Sequence, residues 1–437
     1  MRKALLIGAL FSTATLTFAT NGDNLIGLTP ASRGMGGIGV GAPVGPVDSV
    51  FRNPAWMSVM ENKFTVQFGG ILFMPKVKAR YKNQSASIET GYVKSKADTF
   101  MVPEIGVVHR ISDRLVFGLG AFGVSGMGVD YRDKNSALAQ MHTTFQFMRI
   151  IPAISVQVNE MISVSFAPHI AWGSLDMGAF MLCDTNGDGN PDVDCNGSGG
   201  IDAGDVYNAG GGQSQALGLG FQVGASLNFG DFLYAGITYQ SPVSMKYKNV
   251  FDANPPTTPG AYDFDDLKLQ QPQEVALGIG AAPLDGLKVG LDVRWINWKD
   301  ADGYGDFQWD DQWVYAIGAE YKPMEKLALR IGYNYGKSPI DGGDKGTTPP
   351  SSPNILNAPF SDFNIAWFNL IGFPAITEQH ITLGAGYEFT NTFAVDFSYV
   401  RAFEKKVEAC AQGSNCNVLV GAKNAQDSIS VGLNWKF

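Results

Sequence analysis

The sequence predicts an all-β protein, a 14-stranded antiparallel transmembrane β-barrel plugged by an N-terminal hatch. Three observations predict this fold. Fourteen segments alternate polar and apolar residues, short and long connections between them alternate strictly, and about 40 residues without strand character precede the first segment. Alternation with a period of two suits a strand that faces lipid on one side and a polar lumen on the other.

Residues 1–19 have the order of regions found in a secretory signal peptide. Two basic residues precede an apolar run from Ala4 to about Phe18, and small residues follow around Ala19. At roughly 15 residues, this run is short for a membrane span of about 20. We therefore predict cleavage after Ala19 and export of the chain, rather than a membrane anchor.

Residues 20–62, between the predicted cleavage site and the first strand, are expected to form the hatch. They contain a glycine-rich run around Gly36 and the motif Asn53-Pro54-Ala55. Glycine allows close backbone packing, which a plug threaded through a crowded lumen needs. No Lys-Ser/Thr pair follows the glycine-rich run and no strand precedes it, so a phosphate-binding loop is excluded.

Residues 63–437 contain the fourteen segments that we predict as barrel strands. Their apolar residues recur at every second position, and the glycine and alanine on many opposite faces leave room for a plug. The predicted strands are 63–75, 101–111, 114–126, 144–157, 160–179, 214–229, 231–247, 272–282, 287–299, 312–322, 326–337, 378–390, 392–404 and 426–437.

The connections between these segments favour a membrane barrel more strongly than the strands do. Six short turns alternate with seven long loops, as in an up-and-down barrel with one trimmed rim and one elaborate rim. A soluble β-sandwich also has many short strands, but nothing in that fold requires this alternation. The long loops are 76–100, 127–143, 180–213, 248–271, 300–311, 338–377 and 405–425.

The chain ends on a strand in which alternate residues are apolar. Its apolar face consists of Ile429, Val431, Leu433, Trp435 and Phe437. An aromatic last residue on such a strand resembles the assembly signal of outer-membrane β-barrels. We therefore expect the bacterial outer membrane as the location, with the assembly machinery, membrane lipid and lipopolysaccharide as partners.

Composition and charge exclude one class of partner. The chain has 45% hydrophobic residues, which fits a barrel because half of each strand faces water. Its net charge of −9 argues against nucleic acid as a partner. The four cysteines form two close pairs by sequence, Cys183 with Cys195 and Cys410 with Cys416. In an exported protein, this proximity favours a disulfide within each pair.

Several stretches resemble the FadL family of outer-membrane transporters for long-chain fatty acids and hydrocarbons. They are residues 27–36, 52–55, 269–298 and 333–339. The resemblance covers nearly the whole exported chain, and fourteen strands is the family's number. It implies uptake of a hydrophobic small molecule by ligand capture, hatch movement and lateral release through the barrel wall at a kinked third strand. In the predicted third strand, we expect this kink at Gly123 and Gly126.

The long loop 338–377 concentrates apolar side chains outside any predicted strand. An exposed apolar patch of this size usually marks a binding surface, so we expect it to bind the ligand on the extracellular side. The alternative is that these side chains pack on other loops or cap the barrel. The residues are Phe363, Ile365, Trp367, Phe368, Leu370, Ile371 and Phe373.

The loop 180–213 departs from the family, which has an apolar helical groove there. Two registers place oxygen-bearing side chains at the spacing of a calcium-binding loop, with glycine at the turn. Without flanking helices, the pattern resembles thrombospondin type 3 or dockerin repeats. We expect a structural Ca²⁺ ion; the alternative is a solvated acidic loop held by a disulfide. The candidate ligands are Asp184, Asn186, Asp188 and Asp192 in one register and Asp194, Asn196, Ser198, Asp202 and Asp205 in the other.

Two other barrel functions remain as alternatives. A diffusion porin for small polar solutes would have an open lumen with a charged constriction, and an adhesin or structural barrel would have no passage at all. The residues available for a constriction could equally form ion pairs that hold the hatch. They are Asp292, Arg294, Glu320, Arg330, Glu388 and Asp396. The four histidines lie in no catalytic motif, so we expect no enzymatic activity, and we expect a monomer.

Overall fold

The computed structural model describes residues 20–61, 63–182, 206–230, 232–253 and 263–437. The described part consists mainly of β-strands, with a few short helices near the N-terminus and in the loops. The predicted signal peptide, the first cysteine pair and the predicted calcium ligands lie outside the described residues.

Fourteen antiparallel strands form one closed barrel, as predicted. The last strand pairs with the first from Lys436↔Thr65 to Val418↔Asn83. Closure satisfies the backbone hydrogen bonds at both sheet edges, which lipid cannot do. The strands are β1 (Phe64–Asn83), β2 (Phe100–Arg110), β3 (Leu115–Asp130), β4 (His142–Gln157), β5 (Ile162–Gly178), β6 (Ser214–Phe229), β7 (Leu233–Gln240), β8 (Glu274–Leu284), β9 (Leu287–Ile296), β10 (Gln312–Met324), β11 (Leu327–Gly336), β12 (Gln379–Thr390), β13 (Phe393–Ala411) and β14 (Val418–Lys436).

The outward face of the barrel is apolar, and the inward face carries small or polar residues. Leu217 and Leu219 of β6 are each 76% exposed, and Ile317 of β10 is 54% exposed. The polar Gln222 and Asp292 are buried on the inward face. Large exposed apolar side chains in a continuous belt are unfavourable in water, so the belt faces lipid.

Three strands extend seven or eight residues further on the side of the long loops than the sequence predicts. β1, β13 and β14 have 20, 19 and 19 residues and continue into segments predicted as loops. In β1 the outward residues become basic from Lys76 onward, whereas the inward Val77 and Ala79 stay buried. The strand pairing therefore continues above the lipid. Only the outward side chains change from apolar to basic there, because only they leave the lipid for the aqueous side.

One predicted strand is shorter than expected. The sequence predicts a strand over 231–247, but β7 ends at Gln240. Pro242 has no backbone N–H and cannot continue the hydrogen-bond ladder. A separate antiparallel hairpin, Lys246–Phe251 with Asp265–Lys268, follows in the long loop.

Residues 20–61 lie inside the barrel and form the hatch. Their elements are the short strands Thr20–Asn21 and Asn24–Leu25, helices α1 (Pro30–Gly34) and α2 (Pro46–Arg52), and the 3₁₀ helix Pro54–Val59. Each helix begins with proline, whose missing N–H costs no hydrogen bond in the first turn. The Thr29 hydroxyl accepts the Ser32 N–H at 3.3 Å and caps α1.

The barrel wall approaches the hatch closely where its inward residues are glycine. A side chain at Gly236 would overlap the Val40 carbonyl oxygen, and one at Gly278 would overlap Gly41. The glycine-rich inner faces therefore leave room for the plug, because the two backbones are in contact. Other wall glycines against the hatch are Gly106, Gly118, Gly280, Gly290, Gly318, Gly332, Gly384 and Gly432.

Two extracellular connections have further ordered features. The loop after β11 contains α3 (Asp362–Trp367), continued by a π-helix over Phe368–Gly372. A disulfide joins Cys410 and Cys416 where β13 turns into β14, as predicted. Across the described ranges, no helix combines the length and the apolar character needed to cross a membrane.

Replacing Gly236 by Ala tests the contact between the barrel backbone at Gly236 and the hatch backbone at Val40. The new methyl group would push away the Val40 carbonyl, which accepts hydrogen bonds from Asn53 Nδ2 at 3.1 Å and Trp56 Nε1 at 2.8 Å. We expect the plugged state to lose about 1–3 kcal/mol and ionic conductance in planar bilayers to rise.

The matched control is Gly70→Ala on the outward face of β1, where the nearest atom to the new methyl is 3.3 Å away. This variant should conduct like the parent protein. Equal conductance for Gly236→Ala and the parent would contradict the expected contact between the wall and the hatch.

Candidate functional site

A buried carboxylate of the wall anchors the middle of the hatch. Asp292 in β9 accepts hydrogen bonds from the backbone N–H groups of Gly39, Val40 and Gly41, at 2.7, 2.8 and 2.9 Å. Three donors stabilise a charge that burial otherwise disfavours. Asp292 is one of the charged residues that could line a porin constriction, but here it binds the hatch instead.

The motif Asn53-Pro54-Ala55 connects two parts of the hatch to the wall. Asn53 Nδ2 donates to the carbonyls of Val40 and Ala225, both at 3.1 Å, and its Oδ1 accepts the Ala55 N–H at 3.2 Å. The Ala55 carbonyl in turn accepts the Ser155 hydroxyl of β4 at 3.1 Å. A single amide side chain thus fixes the end of α2, the glycine-rich run and β6 relative to one another.

Buried ion pairs line the wall on both sides of Asp292, towards the short turns and towards the long loops. Towards the short turns, Arg330 Nε lies 2.7 Å from Glu320 and its Nη1 lies 2.5 Å from Asp396. Towards the long loops, Arg294 lies 3.2 Å from Glu274. These charges are therefore paired with one another beside the hatch, which is the structural alternative to a porin constriction.

The hydrogen-bonded wall is interrupted between β2 and β3. Pairing of these strands runs from Arg110↔Val116 only to Glu104↔Phe122, whereas β2 stays paired with β1 up to Phe100. Residues 100–103 of β2 therefore lack a partner in β3. Above this level β3 is buried on both faces, since every residue from Phe122 to Val129 is buried.

The hatch takes the place of β2 at this gap. Register between β3 and β4 shifts between Gly123 and Ser125, which is a bulge that bends the strand. Asn24 of the hatch pairs with Ser125, and the Gly126 N–H donates to the Asp23 carbonyl at 3.1 Å. The structure thus places Gly123 and Gly126 at the irregularity, and their role in a lateral exit stays a prediction.

The aromatic loop is not the exposed patch that the sequence predicts. Phe368, for example, packs edge-on against Phe251 and Phe360, with ring centroids 5.5 and 5.3 Å away. The predicted exposure is wrong because residues from other loops cover these side chains, so the segment caps the barrel. Trp367 is half-buried, and the buried members are Phe363, Ile365, Phe368, Leu370, Ile371 and Phe373.

A continuous apolar cluster joins this cap to the hatch. It reaches from Ile371 in the loop, past Phe145 in β4 and Trp298 after β9, to Leu25 and Leu28 in the hatch. Apolar side chains therefore line the interior continuously from the cap to the hatch, and a few buried charged groups lie among them. An apolar interior favours transfer of a hydrophobic solute out of water.

A small cavity lies where this cluster meets the gap in the wall. Its lining includes Phe73 and Val77 of β1, Gly126 and Met127 of β3, and Pro374 of the cap. Its volume of about 20 Å³ holds roughly one water molecule. A cavity of this size does not hold a hydrocarbon molecule.

A buried carboxylate holds the start of the hatch beside the cavity. Asp23 accepts hydrogen bonds from the Tyr304 hydroxyl and from Gln271 Nε2, the latter at 3.4 Å. Burial raises the pKa of Asp23 to about 6 and raises that of Tyr304 well above its usual value. This cluster could not be predicted from the sequence, since its members are distant in the chain and match no motif.

A buried guanidinium lies in the same half of the lumen. Arg149 of β4 donates from Nη1 to His169 Nδ1 at 3.0 Å and lies 5.3 Å from the Phe147 ring centroid. Its Nε has no hydrogen-bond partner among the described residues. The sequence signal for this site is Arg149 itself, a charged residue in the middle of an apolar alternating strand. The sequence analysis missed this signal.

Sequence comparison assigns the chain to a known group of proteins. Residues 17–354 match the sequence model described as "Outer membrane protein transport protein (OMPP1/FadL/TodX)". This match spans more than half of the chain. No curated protein sequence matches the chain.

Solved structures show the same fold. A FadL homologue of Pseudomonas aeruginosa is 17% identical with a TM-score of 0.70, covering 95% of this chain and 100% of that one. The Pseudomonas putida toluene transporter TodX is 17% identical (TM-score 0.67, 95% and 99% covered). The Ralstonia pickettii toluene transporter TbuX is also 17% identical (TM-score 0.64, 95% and 99% covered).

The pKa of Asp23 predicts a pH-dependent attachment of the hatch. Because burial raises this pKa from 3.8 to about 6, the buried form binds its proton more tightly than the released form. Attachment is therefore strongest below pH 4 and weakens as pH rises to 6, by about 3 kcal/mol in all. Amide hydrogen exchange of residues 20–28, corrected for intrinsic rates, would measure this change.

Asp23→Asn keeps the size of the side chain and removes its titration, so it should abolish this pH dependence. The exposed Asp341→Asn is the control and should leave it intact. An undiminished pH dependence in Asp23→Asn would show that another group, such as the buried Asp48, controls release of the hatch.

Proposed function

The chain belongs to the outer membrane protein transport protein family (OMPP1/FadL/TodX). We propose that it takes up long-chain fatty acids or hydrocarbons in three steps: capture of the ligand, movement of the hatch and lateral release of the ligand through the barrel wall. It is a transporter of hydrophobic small molecules in the outer membrane, not an enzyme. The observation that carries the proposal is the apolar cluster that ends at a gap in the wall held closed by the hatch.

Capture would begin in the apolar cap formed by the loop after β11. Each methylene group transferred from water to an apolar site gains about 0.8 kcal/mol, so a long alkyl chain has a strong drive into this cap. An open aqueous pore offers no such gain. Because the cap side chains are buried, the ligand must part them, and Trp367 at the half-buried edge is the accessible starting point.

Release would require the first residues of the hatch to move. Residues 20–25 contact β3 through one residue pair and one additional backbone hydrogen bond, far fewer bonds than a full strand makes. Their withdrawal would enlarge the cavity beside Met127 and uncover the gap between β2 and β3. The remaining anchors at Asp292 and Asn53 can stay intact, so the lumen need not open to water.

The same anchors argue against the diffusion porin. Asp292 is engaged by three hatch N–H groups, and Arg330 is paired with two carboxylates. A porin constriction requires such charges to face a continuous aqueous passage. Asp292 faces the hatch backbone instead, and the pocket beside Arg330 is lined on one side by the hatch residues Thr29, Ala31 and Pro46. An adhesin or structural barrel would need neither the apolar interior nor the interrupted wall.

Locking the hatch to β3 tests the proposed movement. Asn24 and Ser125 are directly opposite in an antiparallel pair, where Cα atoms lie about 4.5–5.5 Å apart, within the range that a disulfide spans. The double variant Asn24→Cys/Ser125→Cys should lose at least about tenfold in uptake of labelled fatty acid or toluene when oxidised. Reduction should restore uptake.

The control crosslink is Ser398→Cys/Ser430→Cys, which joins opposite residues of β13 and β14 and leaves the hatch free. The single-cysteine variants and the reduced parent protein set the baselines. Full uptake by the oxidised Asn24–Ser125 crosslink would rule out movement of this segment as the gate.

Arg149 offers a way to identify the class of cargo. A buried guanidinium with a free Nε–H can bind the carboxylate of a fatty acid, and such a charge-assisted hydrogen bond contributes about 1.5–3 kcal/mol. Arg149→Met should therefore weaken fatty acid binding about 10- to 100-fold and leave toluene binding nearly unchanged. Titration of the purified protein with both ligands measures this.

Arg132→Met, which removes an exposed arginine paired with Asp130, is the matched control and should alter neither ligand. If Arg149→Met weakens both ligands equally, its role is to hold the wall together, and the carboxylate-binding assignment fails.

A further inference from the structure

The outward surface of β13, β14 and β1 above the lipid belt carries a concentration of basic residues. We call this surface, with the adjoining short strand Val93–Lys94, the basic face. Its cations are Lys76, Lys78, Arg80, Lys82, Lys94, Arg401, Lys406 and Lys423. Its anions are Glu89, Asp98, Glu404, Glu408 and Asp427. Cations therefore outnumber anions on the basic face, although the whole chain has a net charge of −9.

Four lysines of the basic face form a row across neighbouring strands. Lys94 is opposite Lys78, Lys78 is opposite Lys423, and Lys423 is opposite Lys406. Directly opposite residues in antiparallel strands point to the same side, and strands lie about 4.8 Å apart, so the row spans roughly 14 Å. Like charges at opposite positions destabilise a sheet, so this arrangement favours an external anion.

The carboxylates within the basic face are too few to neutralise it. Glu404 is shared by Lys78 at 3.9 Å and Lys423 at 3.3 Å, so one negative charge serves two lysines of the row. Glu408 is shared in the same way by Lys406 at 2.8 Å and Arg80 at 3.3 Å. The Lys78 and Lys406 side chains remain 38% and 50% exposed and accessible to a ligand.

The height of the basic face matches the headgroups of the outer leaflet. The outward residues of β1 are apolar from Val66 to Met74 and basic from Lys76 onward. Counted from Phe64, the first outward residue of β1, to Met74, the apolar part covers eleven positions, about 33 Å along the strand and about 25 Å in height for a strand tilt of roughly 40°. The lysines thus begin where a hydrocarbon layer of about 25 Å ends.

The opposite wall lacks this charge at the same level. Neutral amide and aromatic side chains occupy the outward positions at the upper ends of β6 to β12, as in an ordinary aromatic girdle. These residues are Gln215, Tyr239, Trp295, Trp313, Tyr335 and Gln379. The basic face is therefore local to one side of the barrel.

We propose that the basic face binds the phosphorylated headgroup of the outer-leaflet glycolipid, lipopolysaccharide. The row of Lys94, Lys78, Lys423 and Lys406 would contact its phosphates as point charges. The acyl chains would lie against the apolar outward residues just below, such as Leu72 and its opposite residue Ile429. Only a ligand with phosphates above acyl chains matches both parts of this surface.

The test compares charge-removing variants of the full-length protein in mild detergent. Lys78→Gln/Lys406→Gln/Lys423→Gln should bind rough lipopolysaccharide about 100-fold more weakly than the parent protein, since each lysine near an anionic surface contributes roughly a factor of five. Glu404→Gln removes the shared carboxylate and should bind about fivefold more tightly. Native mass spectrometry or titration gives the affinities, and heat-modifiable gel migration confirms folding.

The matched control is Lys246→Gln/Lys299→Gln/Lys337→Gln, which removes three exposed lysines from the loops of the other wall. It should bind lipopolysaccharide like the parent, and chemically dephosphorylated lipopolysaccharide should lose the preference for the basic face. Unchanged affinity of the first triple variant, an equal loss in the control, or equal binding of the dephosphorylated lipid would each overturn the proposal. These measurements do not depend on transport activity.

Discussion

The close fit of the hatch backbone inside the barrel is the constraint on which the rest of the structure depends. At Gly236 and Gly278, the wall has no side chain because the hatch backbone lies there. Contact at this range allows Asp292 to bind three consecutive N–H groups, so the buried carboxylate and the irregular hatch satisfy each other. Without the hatch, the carboxylate would need water and the lumen would be a channel.

The hatch is held both by polar anchors and by apolar packing. Asp292 and Asn53 bind its middle and end, and one apolar cluster packs against its first residues and against Val47, Val50 and Met57. Breaking a buried anchor such as Asn53 would leave several polar groups unpaired. The start of the hatch is held through Asp23, through the Thr20 carbonyl, which accepts the Thr377 hydroxyl at 3.0 Å, and through one strand contact. In the proposed mechanism, this segment, which closes the gap in the wall, is the part of the plug that moves.

The sequence predicted the barrel well because its pattern is local. Alternation within a strand and the lengths of turns are properties of neighbouring residues, and they yielded fourteen strands and a plug. Burial of Phe368 could not be predicted in this way, because it depends on Phe251 and Phe360 in the folded loops. Asp23 was missed for the same reason, since its partners Gln271 and Tyr304 lie far along the chain, whereas Arg149 had a local signal as a charge within an apolar alternating strand.

The gap in the wall and the basic face are physically connected. After Lys94, the chain crosses the gap: the Ser95 N–H donates to the Val77 carbonyl at 3.0 Å, and the Lys96 N–H donates to the Asp130 carbonyl at 2.8 Å. This crossing connects the top of β1 to the top of β3 at the level where β2 is absent as a partner. A hydrophobic molecule leaving sideways would therefore emerge beneath this segment and among the acyl chains of any lipid held there, where its transfer free energy is favourable.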